Sequence, residues 1–135
     1  MPLLEFVVPG PPASHQTNDK NNLKAWQAAV RAEAAKVWPK PPLTGKLKFL
    51  VINFHEGDKP PLDDDNMVKP IRDALNKLVY EDDRQISQAE ISHVKIGSAF
   101  SIMGASKILV NAIQAGSQFV YVRIEDPVDP FPLPK

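Results

Sequence analysis

A run of ten residues near the middle of the chain, "KLKFLVINFH" at 46–55, constrains the fold more than any other stretch. Side chains alternate between the two faces of a strand. One face would carry Leu47, Phe49, Val51 and Asn53, and the other Lys48, Leu50, Ile52 and Phe54. Because the centre of this run is almost continuously apolar, we expect a strand that is buried on both faces.

Strand and helix patterns alternate along the rest of the chain. "LLEFVVPG" predicts a strand, and a helix from about Asn22 is expected to bury Leu23, Trp26, Val30 and Val37. Later segments predict a strand in "RQISQAEISHVKI" with a bulge near Ser92 and His93, a helix in "ASKILVNAIQAG" and a strand in "SQFVYVRIE". With the helix discussed below, the order β-α-β-α-β-α-β predicts an α+β fold: a single domain with a mixed β-sheet and helices packed against it. The domain is expected to span residues 1–126, followed by a proline-rich extended tail at 127–135.

Composition excludes several classes of protein. The 135 residues include no cysteine, so a disulfide framework and a thiolate metal site are both impossible, and a metal must bind oxygen or the three histidines. No apolar run approaches the ~20 residues of a membrane span, and "MPLLEFVVPG" lacks the basic start of a signal peptide. These features predict a cytoplasmic protein without a membrane partner.

Charge is distributed unevenly although the formal net charge is zero. Residues 1–55 carry seven Lys/Arg against three acids, whereas residues 56–90 carry five against ten. A basic half beside an acidic centre is compatible with a protein that binds a polyanion and concentrates cations at one point.

The acidic centre is the segment "PPLDDDNMVKPIRDALNKLVYEDDRQI" at 60–86, which holds seven carboxylates. Pro70 would clash with the carbonyl four residues earlier, so we expect a helix over about 67–78 that begins no earlier than about Asn66. Asp65 or Asn66 would be its N-cap. Val68, Ile71, Leu75 and Leu78 would face the core.

The carboxylates before this helix could form a metal site. In an extended segment Asp63 and Asp65 project to the same side, and two carboxylates ~4 Å apart repel by roughly 4 kcal/mol at an effective dielectric constant of ~20. A hard cation such as Mg²⁺ or Mn²⁺ would offset that repulsion. The second cluster, Glu81, Asp82 and Asp83, could complete the ligand set, either in the same chain or in a partner subunit. The alternative is that both clusters are solvated caps and turns.

The motif order in this segment resembles the RusA-type Holliday junction resolvases. "DDDN", Lys69, "DAL" and "EDDRQI" match that family's pattern of Asp-x-Asp-Asn, Lys, Asp-Ala-Leu and Asp-Asp-x-Gln-(Ile/Val). The opening strand and "PGPPAS" are similar to the family's amino-terminal strand and turn. The resemblance implies a homodimeric, Mg²⁺-dependent endonuclease, encoded by a bacterium or phage and associated with the nucleoid. It would resolve four-way DNA junctions by paired symmetric nicks in recombination and repair.

The resemblance also implies roles for individual residues. Asp63, Asp65, Lys69 and Asp83 would be catalytic, with the three aspartates as metal ligands and Asp82 as a further candidate ligand. Mn²⁺ could substitute for Mg²⁺. Asn66 and Asp73 are expected to orient these groups rather than to bind metal. The candidate DNA contacts are Lys20, Lys24, Lys59, Arg72 and Arg84. His15, His55 and His93 are interpreted as structural or exposed residues.

Two other functions fit the same residues. The chain could be a nuclease for other branched DNA, or a non-catalytic DNA-binding or assembly protein of the same fold. A metal-binding or interaction domain without DNA affinity is a third class. The alternating apolar residues of "QFVYVRIE", or the proline-rich tail, are candidates for a dimer interface, with core packing as the alternative for the former.

Overall fold

The computed structural model describes residues 2–58, 62–99 and 101–135. In these residues seven elements alternate between strand and helix, which confirms the predicted order. They are β1 (Pro2–Pro9), α1 (Lys20–Val37), β2 (Leu47–His55), α2 (Asp64–Leu75), β3 (Ile86–Lys95), α3 (Lys107–Ala115) and β4 (Phe119–Glu125). A short 3₁₀ helix, Asp83–Gln85, precedes β3. The predicted α+β class with a mixed four-stranded sheet is confirmed.

The sheet has the strand order β1-β4-β2-β3. β2 and β3 are parallel, whereas β4 runs antiparallel to both of its neighbours, β1 and β2. Parallel neighbours need a crossover connection, and here the crossover contains α2 and the 3₁₀ helix. The acidic segment is therefore the connection between the two parallel strands.

Both α1 and α2 pack on one face of the sheet, over a core that includes Phe49, Val51 and Val122, none of which is exposed to solvent. The predicted stripe of α1 is correct at Trp26 and Val30 but wrong at Val37, which is 40% exposed. Steps of four residues from Trp26 and Val30 lead to Ala34 and Trp38, which are buried, so Val37 falls beside the stripe.

The other face of the sheet is covered only in part. Phe54 and Phe119 stack with their ring centroids 4.4 Å apart, and α3 packs against this pair. Leu50 and Ile52 are half-buried. Lys48 on the same face pairs with Glu90 at 2.9 Å. The expectation that β2 is buried on both faces is thus correct at Phe54 and wrong nearer the start of the strand, where charged side chains and the tail cross the sheet.

Helix α2 begins earlier than the sequence predicts. Asp63 is its N-cap, with Oδ1 accepting a hydrogen bond of 2.9 Å from the backbone N–H of Asn66, and the helix ends at Leu75 rather than near Leu78. Pro70 therefore lies inside the helix. The carbonyl of Asn66, which loses its usual partner four residues on because proline has no N–H, accepts a hydrogen bond of 2.9 Å from the backbone N–H of His15.

The predicted bulge near Ser92 and His93 is wrong. The pairing of β2 with β3 is regular through both residues, and the register shifts only at the start of the strands, between the Leu47 and Lys48 pairs. His93 interrupts the apolar alternation because it pairs with a polar partner, not because the strand bulges.

The tail after β4 docks on the sheet through one backbone segment. The side-chain amide of Gln88 donates to the carbonyl of Val128 and accepts from its N–H, at 2.9 and 3.1 Å. Phe131 and Leu133 remain largely exposed. No helix of the described chain combines the length and the apolar character that a bilayer crossing requires.

Candidate active site

An open cavity of about 490 Å³ brings the separate parts of the acidic segment together. Asp65, Asn66, Lys69 and Arg72 contribute from α2, and Asp83 from the 3₁₀ helix. The remaining walls are His15 and Gln16 from the β1–α1 loop, Val68 and Ile91. Residues 65, 69 and 72 are spaced by four and three positions, which places them in one line along the helix.

Lys69 lies between two carboxylates of the same chain. Its Nζ is 2.9 Å from Oδ1 of Asp73 and 3.7 Å from Oδ2 of Asp83. The hydrogen bond to Asp73, with a smaller contribution from the charge of Asp83, raises the pKa of the lysine, whereas desolvation opposes the rise. The ammonium is therefore held charged at the cavity wall. Asp83 doubles back to the helix that carries Asp65, so both aspartates face the cavity of one chain.

Gln85 holds the turn that positions Asp83. Its Oε1 accepts from the backbone N–H groups of Glu81 and Asp82, at 2.9 and 3.1 Å. Its Nε2 donates to the carbonyls of Leu43 and Gly45, at 3.0 and 2.9 Å. All four hydrogen-bonding positions of the amide are thus used. The "EDDRQ" motif is locked to the connection before β2 by a single side chain.

Asp82 is occupied by local contacts. Its Oδ1 accepts from the backbone N–H and Nε of Arg84, at 2.8 and 3.2 Å, and its Oδ2 accepts from Nη2. The backbone hydrogen bond and then the guanidinium lower the pKa of this carboxyl. Asp82 would have to exchange these partners for a metal ion, whereas Asp83 has the longer contact of 3.7 Å with Lys69.

The first turn of α2 contains a contact that the sequence did not reveal. Nε2 of His93 on β3 lies 2.7 Å from Oδ1 of Asp64, and Nδ1 of the same ring lies 3.4 Å from the side-chain nitrogen of Asn53. Asn53 is buried, and His93 is 16% exposed. His93 and Asn53 thus hold Asp64, the residue between Asp63 and Asp65, in place. Asp63 itself is exposed at the helix start and has one oxygen engaged as the cap.

Arg72 lines the cavity and packs against a buried ring of the core. Its guanidinium carbon is 5.2 Å from the centroid of the Phe49 ring, and its Nε is buried without a hydrogen-bond partner in the described part of the chain. The carbonyl of Arg72 accepts a hydrogen bond of 2.7 Å from Tyr80, whose pKa is raised by burial. A buried donor without an acceptor costs about 1–3 kcal/mol.

The other predicted DNA contacts are dispersed. Lys20 and Lys24 are exposed in the first turns of α1. Arg84 is exposed and pairs with Asp82. Lys59 lies outside the described residues.

Sequence reasoning missed His15, Gln85 and the pairing of His93 with Asp64. Asp82 followed three residues later by Gln85 is a capping-box pattern, which would have given Gln85 a role. No comparable signal identifies His15 or His93, because their partners are 51 and 29 residues away in the chain.

The donor chemistry of the cavity suits a hard divalent cation. Asp65 and Asp83 supply carboxylate oxygens and Asn66 an amide, and Mg²⁺ prefers such oxygen ligands. Among the described residues no three His, Asp or Glu side chains are already grouped as a metal-binding cluster. The side chains of Asp63, Asp65 and Asp83 would therefore need to rearrange to hold one ion.

Comparison with known proteins identifies the family. The model for "Endodeoxyribonuclease RusA" matches residues 10–102, a range that contains the whole cavity and more than half of the chain. A search of curated proteins finds no match. The matched range extends from the β1–α1 loop through β3 and includes Asp63, Lys69 and Asp83 at the spacing described above. The chain belongs to the RusA endodeoxyribonuclease family.

Proposed function

We propose that this chain is a Mg²⁺-dependent, structure-specific endodeoxyribonuclease that resolves four-way DNA junctions by paired symmetric nicks. The observation that supports the proposal most directly is the meeting of Asp65, Lys69 and Asp83 in one cavity of one chain. These residues come from three separate parts of the motif. The alternative, that both acidic clusters are solvated caps and turns, does not explain why these side chains line one cavity.

Asp63, Asp65 and Asp83 are the proposed holders of Mg²⁺, with Mn²⁺ as a substitute. A bound ion would supply an activated water and stabilise charge on the phosphoryl and leaving oxygens. These aspartates would hold the ion at the end of the cavity that lies beside the start of α2. Asn66 orients the first turn, because its backbone N–H fixes the side chain of Asp63.

Lys69 is the proposed electrostatic catalyst. Its ammonium faces the cavity and can stabilise negative charge on the scissile phosphate or on the departing oxygen. Asp73 keeps the ammonium charged and directs it, since the two groups form a 2.9 Å hydrogen bond. The i,i+4 pair of Lys69 and Asp73 stabilises the fold by only about 0.3–0.5 kcal/mol. Its proposed role is therefore to orient the ammonium.

Symmetric cleavage of a junction requires two identical sites, and we propose a homodimer. β4 is unsuited to the interface, because it lies between β1 and β2 and buries Phe119, Val120, Tyr121, Val122 and Ile124. The tail remains the candidate, since Phe131 and Leu133 are exposed. Lys20 and Lys24, which follow the loop of His15, would contact DNA phosphates outside the cavity, with affinity that falls as salt rises.

The proposal is tested by cleavage of a labelled four-way junction, a fork and a linear duplex, with and without Mg²⁺. The wild type is compared with Asp65→Asn, Asp83→Asn and Lys69→Met. Asp126→Asn serves as the matched control, because Asp126 is exposed directly after β4. We expect paired nicks on the junction that require Mg²⁺, fall by at least about 100-fold in the three site variants and persist in the control.

Each other outcome has a defined meaning. Cleavage of the fork in preference to the junction would assign the activity to other branched DNA. Binding of the junction without cleavage by the wild type would support a structural DNA-binding role instead. Absence of both binding and cleavage would refute the nuclease proposal.

A further inference from the structure

The cations that line the cavity differ in how they are partnered. Lys69 is held by Asp73 and lies near Asp83. Arg72 forms no ion pair with the described residues, and its Nε is buried without an acceptor. An arginine that is partly desolvated and unpaired is costly unless a ligand completes it. Among the described residues, the guanidinium of Arg72 thus lines the cavity without a hydrogen-bond partner of its own.

Packing fixes the orientation of this guanidinium. Its carbon lies 5.2 Å from the centroid of Phe49, and Phe49 is completely buried. The backbone of Arg72 is held by the hydroxyl of Tyr80, which is also completely buried. Because the ring supports the guanidinium and the helix holds its stem, little rotational freedom would be lost on binding an anion.

His15 presents a second free donor to the same cavity. Its backbone is fixed by the hydrogen bond to the carbonyl of Asn66 that Pro70 leaves available. Its imidazole is exposed and has no hydrogen-bond partner in the part of the chain that the structure describes. A neutral imidazole carries one N–H donor. Thus the loop before α1 delivers a donor to the cavity that contains Arg72.

We infer that His15 and Arg72 form a phosphate-binding subsite that holds one phosphodiester group of the substrate strand. This inference rests on the proposed nuclease function and adds a named contact to it. Arginine binds phosphate through two parallel N–H···O bonds, and the imidazole supplies a further donor. Arg72 lies on the same line of α2 as Asp65, about 10 Å along the helix axis at 1.5 Å per residue, whereas His15 is attached at Asn66. The subsite orients the strand for cleavage and takes no part in proton transfer.

The test is a set of junctions in which single phosphates are replaced by uncharged methylphosphonates, bound in the absence of divalent metal. For the wild type we expect one position near the cleaved bond at which the replacement weakens binding by about 10- to 100-fold. Arg72→Gln should bind unmodified DNA more weakly than the wild type does. For this variant, the methylphosphonate at that position should weaken binding by no more than about a further twofold. Lys36 is an exposed cation at the far end of α1. In Lys36→Gln, the methylphosphonate should weaken binding as much as it does in the wild type.

Two further variants keep the test decisive if Arg72→Gln is unstable. Arg72→Lys retains the positive charge but lacks the paired N–H donors of a guanidinium. His15→Ala removes an exposed imidazole and leaves the backbone hydrogen bond to Asn66 in place. In both variants, replacing the same phosphate by a methylphosphonate should weaken binding less than it does in the wild type. If His15→Ala and the Arg72 variants lose as much as the wild type at every position, the subsite does not exist, although cleavage by the wild type would leave the nuclease proposal intact. A wild type that neither binds nor cleaves DNA would overturn both.

Discussion

Nε2 of His93 lies 2.7 Å from Oδ1 of Asp64, which links the edge strand β3 to the first residue of α2. Asn53 supports the other side of the ring. This pair fixes the turn from which Asp63 and Asp65 project, although neither partner lines the cavity.

Removal of this link should destabilise the protein. We expect His93→Ala and Asp64→Ala each to lower the free energy of unfolding by about 1 kcal/mol. The double variant should fall short of the sum by about 0.5 kcal/mol or more, since the two side chains are in contact. Urea unfolding of the wild type, the two single variants and the double variant measures these free energies. Lys95→Ala is the control, because Lys95 is exposed and pairs with exposed Asp58. Additive effects would show that the pair is not coupled.

Gln85→Glu should be more damaging than its isosteric shape suggests. The substitution places a carboxylate oxygen against the carbonyls of Leu43 and Gly45, where the amide donated two hydrogen bonds. We expect a loss of about 3 kcal/mol in the free energy of unfolding. Gln88→Glu is the matched control, because the side-chain amide of Gln88 hydrogen-bonds to Val128 in the exposed tail, and its loss should stay below about 1 kcal/mol. Equal losses would contradict the locking role of Gln85.

Asp73→Asn should lower the pKa of Lys69, since the hydrogen bond to Asp73 is the largest cause of its upward shift. The folded-state pKa is raised above the ordinary 10.5, so the pair stabilises the fold fully below pH 10.5 and this contribution is lost as pH rises through the folded-state pKa. Lys69 is 48% exposed, and the effect on stability is therefore small. An NMR titration of the Lys69 Nζ measures the shift directly. An unchanged pKa would mean that Asp83, rather than Asp73, holds the ammonium.

Pro70→Ala should loosen the loop of His15. The new N–H at position 70 would compete for the carbonyl of Asn66, which now accepts from the backbone of His15. If this competition costs about 1.4 kcal/mol, the amide of His15 should exchange with solvent about tenfold faster. Hydrogen exchange measures this, and Pro39→Ala in the exposed connection after α1 is the control. Unaltered protection at His15 would show that the proline does not govern the loop.

Sequence patterns predicted the four strands and three α-helices of the described residues, but not the 3₁₀ helix Asp83–Gln85. The start of α2 was misjudged, since the rule that proline breaks a helix assumes that the freed carbonyl has no other partner. Here His15 supplies that partner from 51 residues away. Val37 was misassigned by one position because the four-residue spacing of the buried side chains leads to Ala34 and Trp38.

The candidate site was predictable where its residues share one helix. The spacing of Asp65, Lys69 and Asp73 is local, and the Lys69–Asp73 pair follows from it. Whether Asp83 returns to the same chain depends on a reversal that Gln85 fixes through Leu43 and Gly45, which lie in a distant connection. Such tertiary hydrogen bonds leave no periodic trace in a sequence.

The last strand in the sequence, β4, lies in the interior of the sheet between β1 and β2. On a ribosome, all of the acidic segment emerges before Phe119, yet β1 has no neighbour in the sheet until β4 is in place. The loop that carries His15 follows β1 directly, so β4 completes the sheet from which this loop extends. A chain that ends before Phe119 would therefore lack the strand that joins β1 to the rest of the sheet.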